Sequence, residues 1–208
     1  IIMLEPLQYA NDHRAEQMAE LIDFLRIPSV STLADRNNDT AAAAAWLAAA
    51  MTRAGLENSR VISTKRHPIV YADWLHAGPE APTVLIYGHY DVQPADPLEL
   101  WETPPFEPTI RGDYLYARGA ADDKGQLFVH VKAAEAYLRT TGRLPVNVKF
   151  LIEGEEEIGS RNLYEFIIEN REMLAADSAL VSDTAMLAPG KPALVYGLRG
   201  NCHVLLDI

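Results

Sequence analysis

Cys202 is the single cysteine of this 208-residue chain. An intrachain disulfide is therefore impossible, and a cysteine-built zinc site is excluded. A lone thiol also fits a reducing compartment. Positive charge is scarce. Against 29 Asp and Glu stand 18 Lys and Arg, a net charge of −11, which argues against nucleic acid as a partner. Long apolar runs are missing as well. Nothing approaches the roughly 18 consecutive apolar residues of a membrane span, and the alanine-rich run 41–50, interrupted by Trp46, is too short. The opening Ile1-Ile2-Met3-Leu4-Glu5-Pro6 lacks the basic flank and length of a signal peptide. Together with the lone cysteine, this predicts a cytoplasmic protein. No internal repeat is present, and no low-complexity segment beyond the alanines.

What is present is a globular composition, 49% hydrophobic, enough for one sizeable core. Met18, Leu21, Ile22 and Leu25 share one face of a helix predicted over residues 11–26. A second helix is expected from a cap at Asp39 or Thr40 through Arg53, stopped by Gly55, its alanines packing against a sheet. Residues 61–63, 69–75, 83–88, 146–152 and 178–181 read as strands. Residues 125–139 and 161–173 read as helices, and 95–112 as a long surface loop. Strands alternating with helices favour an α/β sheet with covered faces.

The acids are not spread evenly. The apolar run Thr83-Val84-Leu85-Ile86-Tyr87 ends at Gly88 and is followed at once by His89 and Asp91. Further on come Asp122-Asp123-Lys124-Gly125, then Glu153, Glu155, Glu156 and Glu157 after a buried strand, then Asp183 after a short one. Strand ends are where open α/β sheets bind ligands, and clustered carboxylates either take up protons or hold cations. The residues alone leave each assignment open. His89 could be a capping histidine, Asp91 an Asx-turn residue, Asp123 a helix cap and the glutamates a solvated loop.

Four blocks in order, Gly88-His89-Tyr90-Asp91-Val92-Gln93-Pro94, Ala120-Ala121-Asp122-Asp123-Lys124-Gly125, Glu155-Glu156-Glu157-Ile158-Gly159-Ser160 and Val181-Ser182-Asp183-Thr184, resemble the zinc-dependent M20 family of peptidases and deacylases. The dipeptidase, carnosinase-like branch is the nearest match. The resemblance implies a zinc-peptidase-like catalytic domain over residues 1–197, a mixed, largely parallel sheet covered by helices, with 198–208 as the first strand of a lid or dimerisation domain. It implies two Zn2+ ions, with Mn2+ or Co2+ as alternatives. Asp122 would bridge them, His89 and Asp183 would complete one, and Glu157 would bind the other, whose remaining histidine lies in a later segment of family members. It further implies a cis peptide bond between Asp122 and Asp123, Asp91 orienting His89, and Glu156 as general base. Trp101 and Phe106 would lie near the site's mouth.

The activity so implied is hydrolysis of an amide bond in a dipeptide or small N-acyl amino acid, by water activated between the two zinc ions. Amino-acid deacylation or desuccinylation shares these ligands and is the alternative within the family. A non-catalytic metal-binding module is the alternative outside it, and the intact Glu156 speaks against that. An aspartyl-phosphate receiver would also place acids at strand ends but leaves His89 and the paired glutamates unexplained. Neither nucleic acid nor a membrane is an expected partner, and a homodimer through the lid is. His13, His67, His76, His130 and His203 match no catalytic block.

Overall fold

Four strands running one way and one running the other form the centre of the molecule. In the computed structural model, which describes residues 4–191, 193–198, 200, 202 and 204–206, these are β1 (Glu57–Ile62), β2 (Ile69–Trp74), β3 (Thr83–His89), β6 (Asn147–Glu153) and β7 (Ser178–Val181), in the order β1-β2-β6-β3-β7. β2 is antiparallel to both its neighbours, whereas β6, β3 and β7 pair in parallel. The mixed, largely parallel sheet expected from the sequence is thus present.

Both faces are covered because side chains alternate along each strand. Val70, Ala72 and Trp74 of β2 join Phe150 and Ile152 of β6 in the larger core, which Ala43, Ala44, Leu47 and Met51 of α3 (Asn37–Arg53) and Leu127, Phe128 and Val131 of α4 (Lys124–Thr141) complete. The intervening Ile69, Tyr71 and Leu151 face the other way, onto Phe166 of α5 (Arg161–Glu169) and Leu174 of α6 (Arg171–Leu174). The alanine run does pack, as expected. Small side chains let α3 approach the sheet, and Gly55, at φ +93, reverses the chain behind it.

Several boundaries differ from those read off the sequence. The first helix is two, α1 (Leu4–Asp12) and α2 (Arg14–Leu25), which meet at His13, whose Nδ1 lies 2.9 Å from the Tyr9 carbonyl oxygen. α3 begins at Asn37, and Thr40 bonds back to the Arg36 carbonyl instead of capping. The helix expected over 161–173 breaks at Asn170, whose side-chain amide donates to the Phe166 carbonyl oxygen at 2.8 Å and so competes with the helix ladder. The loop 95–112 leads into a small hairpin, β4 (Thr109–Arg111) and β5 (Tyr114–Tyr116), turning at Gly112 with φ +59. Strands of three residues are too short to show a period. Of the expected lid strand 198–208, residues 199, 201, 203, 207 and 208, His203 among them, lie outside the described residues.

Candidate metal centre

The parallel strands bring the acid blocks to one edge. In β3 and β6 the last residues, His89 and Glu153, are register partners, and Tyr87 pairs with Val181 at the end of β7. All three chains therefore leave the sheet on the same side, carrying His89 and Asp91, Glu155 to Glu157, and Ser182 and Asp183. α4 begins beside them and brings Asp122 at its start.

His89 is fully buried. Its Nδ1 lies 3.0 Å from the Asp91 carbonyl oxygen and 3.4 Å from Asp91 Oδ1. A proton on Nδ1 donated to these acceptors leaves a lone pair on Nε2. Nε2 is buried and has no hydrogen-bond partner among the described residues. Around it stand Asp122 Oδ1 at 3.1 Å, Asp183 Oδ2 at 3.6 Å and Glu156 Oε2 at 4.0 Å. One donor atom each from His89, Asp122 and Asp183 lies within 4.8 Å of the others. An orphaned imidazole nitrogen facing carboxylate oxygens fits a divalent cation that takes mixed nitrogen and oxygen ligands. The electrostatics agree. Burial pushes the His89 pKa down, but the bond and charge of Asp91, followed by Asp123 and Glu156, outweigh it and raise it to about 10. Positive charge is what this cluster favours.

The adjacent acids Asp122 and Asp123 part company. Their peptide bond is cis. Asp122 faces His89 Nε2, whereas Asp123 is 1% exposed and its Oδ2 accepts from the His89 backbone N–H at 3.1 Å. Asp123 does not cap α4 with its side chain. Burial, above all, raises its pKa to about 7. A side chain at Gly88 would put a Cβ 2.7 Å from Asp123 Oδ2, so glycine is what admits this carboxylate to the strand end.

The glutamate run also divides. Glu153 and Glu155 are buried, at 1% and 3% exposure. Glu153 Oε1 accepts from Tyr87 Oη at 2.5 Å and Ser160 Oγ at 2.7 Å. Glu155 accepts from the His67 backbone N–H at 3.0 Å and, with both oxygens, from Asn162 Nδ2 at 2.7 and 2.8 Å. Glu156 and Glu157 open a 3-10 turn whose first two N–H groups donate to Asp91 Oδ1 and Oδ2, both at 3.2 Å. Asp91 thus fixes the His89 ring and the Glu156–Glu157 turn together. Burial first, and the surrounding acids after it, raise the pKa of both Glu156 and Glu157. Glu157 lies outside the close group of three, and its Oε2 accepts from Gln93 Nε2 at 2.8 Å.

Three residues of the quoted blocks carry supporting roles that the sequence did not assign. Gln93 and Glu155 gave no local signal. Lys124 did, because a cation in the first turn of a helix opposes the helix dipole. It is buried, its Nζ donating to the Phe24 and Ile27 carbonyl oxygens at 3.1 and 2.7 Å at the end of α2, and burial pushes its pKa down to about 7.

Fold and site together define an α/β protein with a mixed imidazole–carboxylate cation site at the carboxyl edge of its sheet. The chain belongs to peptidase family M20/M25/M40, which it matches over residues 85–198. It is 41% identical over 143 residues to a mouse (Mus musculus) protein named Beta-Ala-His dipeptidase, covering 68% of this chain and 29% of that one. With the Cys-Gly metallodipeptidase dug1 of Schizosaccharomyces pombe it shares 43% identity over 133 residues, 62% of this chain and 28% of that one. The crystal structure of human carnosine dipeptidase 1 superimposes with a TM-score of 0.81 at 30% identity, over 88% of this chain and 41% of that one. The matched stretches cover less than a third of the length of these two curated relatives.

Proposed function

We propose that this chain supplies the metal-binding core of a dipeptide-cleaving metallopeptidase. The observation that carries the reading is the buried His89 Nε2, without a hydrogen-bond partner among the described residues and faced by Asp122 and Asp183. The dipeptidase names of the mouse and fission-yeast relatives support a dipeptide as substrate. In this reading His89, Asp122 and Asp183 would hold one Zn2+, and Asp122 and Glu157 would contribute to holding a second. Residues 1–197 form the catalytic portion, and 198–208 lead into a lid through which the protein dimerises. Mn2+ or Co2+ suits the same oxygen-rich donor set.

When bound, the ions supply Lewis acidity for the scissile carbonyl and for a water. The protein's own groups do the rest. Glu156 Oε2 faces the cluster with no hydrogen bond occupying it among the described residues, and there it takes a proton from the water. The hydroxide adds to the carbonyl carbon, the carbon–nitrogen bond breaks, and Glu156 returns its proton to the departing amine. Its raised pKa, caused first by burial, moves a carboxylate toward the proton affinity this exchange needs. Asp91 holds the geometry, since one carboxylate sets both the imidazole and the turn that bears Glu156.

Zinc titration of the purified protein tests the reading. The expected result is at least about one tightly held equivalent per chain, lost in His89→Ala and Asp122→Ala, with hydrolysis of a dipeptide lost alongside. A wild-type protein that takes up no zinc at micromolar concentration would overturn it.

A further inference from the structure

We infer that His130 is a positioning residue for Asp183, acting through Ser182. His130 lies on α4 about two turns in, and its Nε2 is 2.6 Å from Ser182 Oγ. Ser182 directly precedes Asp183 on the chain leaving β7. The three donors of the close group are supported very unequally. His89 ends a strand hydrogen-bonded on both sides and is held by Asp91. Asp122 sits against the start of α4, and the neighbouring Asp123 pins that start to the His89 backbone. Asp183 follows a four-residue edge strand paired only with β3 among the described residues. No side chain among those residues hydrogen-bonds its carboxylate to hold it in place, and the His130–Ser182 bond is the side-chain tether beside it.

The consequence is a triangulated site. One rigid helix fixes Asp122 through its first turn and Asp183 through its second, while β3 fixes His89. Loss of the tether frees the Asp183 carboxylate to swing away from Nε2, now 3.6 Å distant. Partners one step removed from a metal ligand change metal affinity by about 10- to 100-fold when lost, and His130 belongs among them although it touches neither ion nor substrate.

This inference rests on the metal-site reading above, and the test separates the two. Zinc affinity is measured by competition with a chelator, and the Co2+ absorption spectrum reports ligand geometry, for wild type, Asp183→Ala, Ser182→Ala, His130→Ala, His130→Gln and the Ser182→Ala/His130→Ala pair. The expected result is an affinity loss of about tenfold in Ser182→Ala and in His130→Ala with an altered Co2+ spectrum, against a far larger loss in Asp183→Ala. The double variant should be little worse than either single one, because both remove the same bond. Recovery is expected in His130→Gln, whose amide nitrogen can occupy the place of Nε2. Ser182→Ala, a one-atom deletion, keeps the test valid if His130→Ala unfolds. If Asp183→Ala loses zinc while Ser182→Ala binds like wild type with an unchanged spectrum, the tether has no positioning role. Equal zinc binding by wild type and Asp183→Ala would overturn the ligand assignment, and this inference with it.

Discussion

Glu153 and Glu155 differ from Glu156 and Glu157 in nothing but position, yet the two pairs have opposite fates. The first pair is buried and meets donors supplied by the fold: Tyr87, Ser160, the His67 backbone and Asn162. Of the second pair, Glu156 faces an imidazole nitrogen that has no hydrogen-bond partner among the described residues, and Glu157 meets only Gln93 at the partly exposed rim. A carboxylate whose acceptors are filled by the protein is architecture. One left with open acceptors beside other acids is available for a cation or a proton. Asp122 and Asp123 repeat the contrast across a single peptide bond, the latter bonded to the His89 N–H and the former turned to its ring.

The sharpest way to break the comparison is to neutralise one acid of each kind. Glu156→Gln removes the proposed proton carrier and no structural bond of its side chain. Dipeptide hydrolysis should fall by about 10²–10⁴-fold in kcat, with zinc affinity and the unfolding midpoint near wild type. Retention of more than a tenth of the activity would move the base to another residue. Glu155→Gln should do the reverse. Both Glu155 oxygens accept from Asn162, so an amide group on one of them sets donor against donor. A loss of about 2 kcal/mol of stability is expected, the scale of a hydrogen bond to a charged group, measured by urea unfolding of the metal-free protein. An unchanged midpoint would place Glu155 among the solvated acids after all.

That division was only half legible in the sequence. Strand and helix order was readable, because β2, β3, β6 and α4 carry periods long enough to register. His89, Asp122 and Asp183 stand where an apolar run ends or a helix opens, a pattern that left each open by itself; the resemblance of the four ordered blocks singled them out, and the sheet brings all three within 4.8 Å of one another. What the run Glu153-Gly154-Glu155-Glu156-Glu157 could not disclose is which acids turn inward. Their partners come from far along the chain, His67 lying 88 residues from Glu155 and Tyr87 lying 66 from Glu153. No local pattern encodes such a pairing, and the same holds for the Gln93 bond to Glu157, 64 residues apart. Lys124 differs, since its sign at a helix start is a local signal, although its role was not assigned from the sequence.

Glu153 gives the smallest effect and the finest discrimination between the two buried acids. Both of its hydrogen bonds fall on Oε1, and Oε2 is buried with no partner among the described residues. Glu153→Gln can therefore keep the Tyr87 and Ser160 bonds on its carbonyl oxygen while removing a buried charge, the opposite of the situation at Glu155. The pH dependence follows from the raised pKa, which burial causes against the opposing bonds of Tyr87 and Ser160. The folded protein holds this proton more tightly than the unfolded chain. Between the ordinary glutamate pKa of about 4.5 and the raised folded value, the native state binds more protons, so stability contributed by this group falls as pH rises. Glutamine has no such penalty. At pH 4 the variant and wild type should unfold at the same urea concentration, and by pH 7.5 the variant should be the more stable of the two. A variant less stable than wild type at pH 7.5 would mean that Oε2 does have a partner in solution and that Glu153, like Glu155, is held by both oxygens.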